Sequence, residues 1–220
     1  TAVLKYSIPS FINPQSEDLK SMLTLIENSE FELDEGGRPK MPTKIQKAKI
    51  NIGNSTYNMG IGGLHSTEKS QCFASDETTV LIDRDVASYY PQIILNQKLF
   101  PDHIGKAFLQ VYKSIVDKRL EAKRMSGKIA KGIADSLKIT INGAFGKLGS
   151  EYSCLYAPRL LLQGTLTGQV SLLLLIEMIE SGGISVISAN TDGIVMKCPV
   201  DLQDELQKIA MMNNPAIQDI

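Results

Sequence analysis

Tryptophan is absent from this 220-residue chain, aromatic residues make up only 6% of it, and its three cysteines, Cys72, Cys154 and Cys198, are scattered without Cys-x-x-Cys spacing. An odd, dispersed cysteine set points to a reducing, cytoplasmic compartment. The N-terminus has no basic flank followed by an apolar h-region, so nothing reads as a secretory signal. Long apolar runs are also missing. The longest, Leu160 to Ile179, is interrupted by Gln163, Gln169 and Glu177, and reads as a buried core helix with no membrane as its partner. What remains is 43% hydrophobic and 21% charged, enough to bury a core in one or two globular units and unlike disordered, collagen-like or mucin-like chains.

The formal net charge of −1 hides an uneven distribution. Between His103 and Lys147 there are ten Lys/Arg against three Asp/Glu, while the rest of the chain carries 13 against 21. A basic segment thus sits inside an acidic chain. Alone, such a segment is usually a solvated helix face.

Ser16 ahead of Leu19, Met22, Leu23 and Ile26 predicts an N-capped amphipathic helix. Glu32 to Thr43, with two glycines and two prolines, reads as a loop. Ile50 and Ile52, the turn residues Gly53-Asn54-Ser55, then Tyr57, Met59 and Ile61 predict a hairpin that ends at Gly60, Gly62, Gly63 and His65. An apolar run, Val80-Leu81-Ile82, leads into Asp83 and Asp85. Two helical patterns, about 104–125 and 129–145, are separated by Ser126-Gly127 and predict an antiparallel helical hairpin carrying most of the positive charge. A helix over about 159–180 stops at Gly182-Gly183. A strand over 184–188, a tight turn over 189–193, a strand over 194–197 and a last helix over 202–210 follow.

Three local patterns carry chemistry. In Asp85-Val86-Ala87-Ser88-Tyr89-Tyr90-Pro91 a carboxylate ends an apolar strand, a rigid place for a metal ligand. In Lys138-Ile139-Thr140-Ile141-Asn142-Gly143-Ala144-Phe145-Gly146 the residues Lys138, Asn142 and Phe145 share one helix face. Asn190-Thr191-Asp192-Gly193 projects a carboxylate from a hairpin tip. Each residue taken singly has a plainer use: Asp85 as a helix cap, Asp192 as a turn residue, Tyr90 in the core, Arg119 and Lys138 in solvent.

Together and in this order, the patterns resemble the three polymerase motifs of family B DNA polymerases, of phage or mobile-element type: D-x-x-S-L-Y-P, K-x-x-x-N-S-x-Y-G and Y-x-D-T-D-S. Arg119 and Lys123 resemble the R-x-x-x-K pair of the fingers, Thr165-Leu166-Thr167-Gly168-Gln169 is similar to T-x-x-G-R, and Tyr57 to Gly63 is weakly similar to a Y-x-G-G linker. The resemblance implies an α+β fold, a palm with an antiparallel sheet, packed helices and a helical-hairpin fingers subdomain. Residues 1–102 would hold an N-terminal region and the first part of the palm, 103–147 the fingers, and 148–220 the rest of the palm. Exonuclease and thumb domains would lie outside this chain.

The implied activity is template-directed transfer of a deoxynucleoside monophosphate from dNTP to a primer 3′-hydroxyl, with primer–template DNA as partner. Asp85 and Asp192 would be catalytic and, with the Val86 carbonyl, would hold two Mg²⁺ ions. Arg119, Lys123 and Lys138 would bind the triphosphate, Asn142 the nascent base pair, and Tyr90 the sugar, excluding a 2′-hydroxyl. Gly143, Phe145, Gly146 and Lys147 would meet DNA. The sequence departs from the family at Asn190 (usually Asp), Ser188 (Tyr), Gly193 (Ser), Gly143 (Ser), Phe145 (Tyr) and Gln169 (Arg). Asp83, on the same side of its strand as Asp85, and Thr191 are further candidates near the metals. The rival expectation is a catalytically weakened palm that keeps the basic hairpin and acts as a nucleic-acid-binding module.

Overall fold

A computed structural model describes residues 3–212 apart from Lys69, with side chains described as far as residue 209. Its elements in chain order are α1 (Glu17–Glu27), α2 (Thr43–Lys47), β1 (Ile50–Ile52), β2 (Ser55–Gly60), β3 (Gly63–Thr67), β4 (Thr79–Asp85), α3 (Tyr89–Asn96), α4 (Ala107–Arg124), α5 (Lys128–Lys147), α6 (Pro158–Ser181), β5 (Ser185–Asn190), β6 (Gly193–Pro199) and α7 (Gln203–Met212). A single turn of 3₁₀-helix, Val200–Leu202, precedes α7. The fold is α+β. Its six strands form one antiparallel sheet in the order β1-β2-β3-β5-β6-β4.

The sheet packs on α6, whose side chains are buried almost all round. This helix is long and apolar enough to cross a membrane, but 94% of its apolar window is buried inside the fold, so it is a core helix. The polar residues that interrupt its run each fasten a backbone segment. Gln163 exchanges two hydrogen bonds with the backbone of Ser7, Gln169 does the same with Gly60, and Glu177 accepts from the N–H groups of Gln15 and Ser16. Buried polar groups must find partners, and these find the main chain. The predicted Ser16 cap does not form: its hydroxyl makes no capping bond, and the Glu177 carboxylate lies beside the start of α1, where its negative charge favours the helix N-terminus.

The helical hairpin forms as predicted, with Gly127 at φ 112° in the turn between α4 and α5. A second, smaller cluster holds it, built from Ile94, Phe108, Tyr112, Val116, Ile141, Leu148 and Leu160. Beyond the predicted elements stand α2, α3 and β3. The hairpin expected to end at His65 continues as β3, which joins β2 to β5 through the pair His65–Asn190. The expected five-residue turn after β5 is shorter: both strands run on until only Thr191 and Asp192 lie between them.

Candidate active site

Register places the two predicted carboxylates side by side. Asp85, the last residue of β4, pairs with Gly193, the first of β6, and the Val86 N–H donates to the Asp192 carbonyl at 2.9 Å. Asp192 follows Thr191, which holds a left-handed φ of 55°, and its own N–H donates back to the Asn190 carbonyl at 2.6 Å. A residue held at such a φ persists only where its surroundings enforce it. Here β3 enforces it: the Thr191 N–H donates to the Leu64 carbonyl at 2.8 Å, and a Cβ on Gly63 would lie 2.9 Å from Thr191 Oγ1. Gly63 has φ 141° and no room for a side chain, so the tip rests directly on the β3 backbone.

Burial raises the Asp192 carboxyl above its ordinary pKa; the neighbouring Asp85 charge adds to the rise and the Lys138 ammonium opposes it. Two carboxylates that crowd each other in this way are poised for a cation. Among the described residues no three His, Cys, Asp or Glu side chains gather into a cluster. A cation here would therefore rest on two carboxylates, backbone oxygen and substrate phosphate, an all-oxygen set that fits Mg²⁺.

Opposite the carboxylates, α4 and α5 close a cleft of about 370 Å³. It is lined by Asp85, Val86, Tyr90, Thr191 and Asp192 from the sheet side and by Arg119, Lys123, Lys138, Asn142 and Phe145 from the hairpin. Lys138, Asn142 and Phe145 share the face their spacing predicts. Arg119 is only 8% exposed, and its Nη1 donates to Ser88 Oγ, yet its Nε has no partner. Among the described residues neither it nor Lys123 nor Lys138 forms an ion pair. A buried guanidinium without a carboxylate is costly unless an anion joins it.

Tyr90 stacks on Phe145 with ring centroids 5.0 Å apart and planes 7° from parallel. Burial, with the Asp192 charge as a smaller cause, pushes the Tyr90 phenol up to about 12. Gly168 on α6 admits this pair closely, since a Cβ there would lie 2.8 Å from the Tyr90 ring, and its carbonyl accepts the Tyr89 hydroxyl at 2.6 Å.

The remaining candidates lie elsewhere. Gly146 faces an adjoining cleft with Arg38 and Lys40 that shares Phe145 as a wall. Asp83 lines a groove with Asp204 and Gln207 of α7. Gly143, Lys147 and Asn190 are exposed outside the cleft, with open space around the Gly143 Cα. Sequence reasoning gave no role to Ser88, at φ 57° between Asp85 and α3, although a serine three residues before Pro91 was a signal for a capped helix start. The supporting parts played by Gly63 and Gln169 were equally hidden. No known family model matches the chain, and no curated protein matches it.

Proposed function

We propose that this chain is the palm and fingers of a DNA-directed DNA polymerase resembling family B, and that the cleft is its nucleotidyl-transfer site. One observation carries the reading: two carboxylates from segments distant in sequence face, across one cleft, three cations of a helical hairpin that form no ion pair among the described residues. Paired carboxylates facing a cationic wall suit phosphoryl transfer, where catalysis is chiefly positioning and charge stabilisation.

In this reading Arg119, Lys123 and Lys138 draw the dNTP triphosphate against α4 and α5, and Arg119 exchanges Ser88 for a phosphate oxygen. Asn142 and the Tyr90–Phe145 stack form the floor on which the sugar and base come to rest. Asp85 and Asp192, with the Val86 carbonyl, would hold Mg²⁺, which would supply charge to activate the primer 3′-hydroxyl and stabilise the leaving pyrophosphate. A bond forms between the primer O3′ and the α-phosphorus as the α–β phosphoanhydride breaks, pyrophosphate leaves and the 3′-hydroxyl proton passes to solvent. Closing the hairpin over the nucleotide excludes water.

The second reading, a binding module, rests on Asn190, whose amide stands where the resemblance calls for a carboxylate. Primer extension with Mg²⁺ and dNTPs separates the two. Extension by the wild type that Asp192→Ala abolishes supports the polymerase. Activity seen only after Asn190→Asp supports the module, and DNA-independent dNTP hydrolysis supports neither.

A further inference from the structure

Five strands place one residue each in a continuous row across the sheet. Asn58 of β2 pairs with His65 of β3, His65 with Asn190 of β5, Asn190 with Gly193 of β6, and Gly193 with Asp85 of β4. Directly paired residues project to the same face. The flanking Leu64, Ala189 and Ile194 are buried, so the row lies on the face turned away from α6. Three strand spacings separate His65 from Asp85, about 14 Å.

The chemistry of the row changes along it. Asp85 at one end is anionic, Gly193 leaves the surface open, and beyond it come an amide and an imidazole with no carboxylate. Asn190 Oδ1 accepts from Thr191 Oγ1 at 3.1 Å, which leaves its NH₂ as the outward donor. His65 is exposed and makes no side-chain hydrogen bond or ion pair among the described residues. Asn58 is already engaged, with Nδ2 on the Ala48 carbonyl and Oδ1 accepting from Thr67. Two donors, His65 and Asn190, therefore face solvent in line with the carboxylates.

We infer that this row is the track of the primer strand, with His65 and Asn190 as hydrogen-bond donors to phosphodiesters near its 3′ end. The inference rests on the polymerase reading, because it takes Asp85 and Asp192 to mark where the 3′-hydroxyl sits. It also gives Asn190 a use: an amide accepts an approaching phosphate that a carboxylate would repel. His65 acts on binding of the strand, remote from the reacting atoms, and is a positioning residue.

The test is fluorescence anisotropy of a labelled primer–template against wild type, His65→Ala and His65→Gln, with binding of a fluorescent dNTP measured in parallel. His65→Ala is expected to weaken primer–template binding about three- to tenfold, the size of one hydrogen bond, with dNTP binding unchanged and His65→Gln partly restoring the loss. A primer with a neutral methylphosphonate at one of its last few linkages should weaken wild-type binding and leave His65→Ala unaffected, which a merely structural role would not produce. Wild-type protein that binds dNTP and DNA while His65→Ala binds DNA equally well overturns this inference alone. Wild-type protein that binds neither overturns the polymerase reading and this inference with it.

Discussion

Two helices of similar length, α5 with 20 residues and α6 with 24, use their apolar side chains in opposite ways. Helix α6 buries leucines and isoleucines on every side, and even its polar residues are engaged by neighbouring backbone. Helix α5 buries only Ala130, Ala134 and Ile141, leaving Ile129, Ile133 and Ile139 at 82%, 49% and 75% exposure. One helix is fixed by its whole circumference, the other by a single narrow face. The difference teaches how firmly each helix is anchored: α6 in the main core, α5 along one face of a smaller cluster. Asp85 ends the edge strand β4 and Asp192 sits in the turn between β5 and β6, while the cations stand on the hairpin. Under the proposed function, the two carboxylates and the three cations thus stand on separately packed parts of the fold.

Removing a group from the carboxylate side should have the largest effect. Asp192→Ala is expected to lower the primer-extension rate about a thousandfold, chiefly in kcat, consistent with losing several kcal/mol of charge stabilisation. Lys138→Ala, on the hairpin, should raise KM for dNTP about tenfold with a smaller change in kcat. Steady-state kinetics of both variants breaks the comparison if the two effects are interchanged.

In stability the contrast should be equally plain. Leu173→Ala, at a fully buried position of α6, is expected to cost about 2–5 kcal/mol in denaturant unfolding. Gly63→Ala should cost about 1–3 kcal/mol through backbone strain and contact with Thr191, and should lower extension further than stability by shifting the Asp192 tip. Ile133→Ala on α5 should stay within about 0.5 kcal/mol.

The pH profile sharpens the division again. Since burial and Asp85 raise the Asp192 pKa, this carboxyl takes up a proton earlier than an ordinary one as pH falls, and at subsaturating Mg²⁺, where protons compete with the metal, activity should drop from that higher pH. Lys138 opposes the rise, so in Lys138→Ala the acid limb of the kcat/KM profile should move to higher pH.

Much of the body was legible because its signals are local. The 3.6-residue period announced α1, a long apolar run stopped by Gly182-Gly183 announced α6, Ser126-Gly127 announced the hairpin, and the spacing of Lys138, Asn142 and Phe145 announced one cleft-lining face. β3 escaped notice because Gly63 to Thr67 is short, polar and glycine-led, with no alternation of its own; it becomes a strand by pairing with β2 and β5. Ser16 was read as a cap because its position is right, but its hydroxyl makes no capping bond, and Glu177, far along the chain, instead holds the N–H groups of Gln15 and Ser16 just ahead of the helix. Three polar residues looked like interruptions of α6 because their backbone partners are distant in sequence.

The sequence by itself determined the longer helices, the basic hairpin and most of the groups that line the cleft, since periodicity, turn chemistry and charge are properties of neighbours along the chain. Only the tertiary structure decided that Asp85 lies beside Asp192, that Arg119 is buried facing them with no ion-pair partner among the described residues, and that His65 joins the same row. Those facts depend on strand register and helix packing between segments far apart in the chain, and a register is chosen by burial of the whole sheet face, which no local window contains.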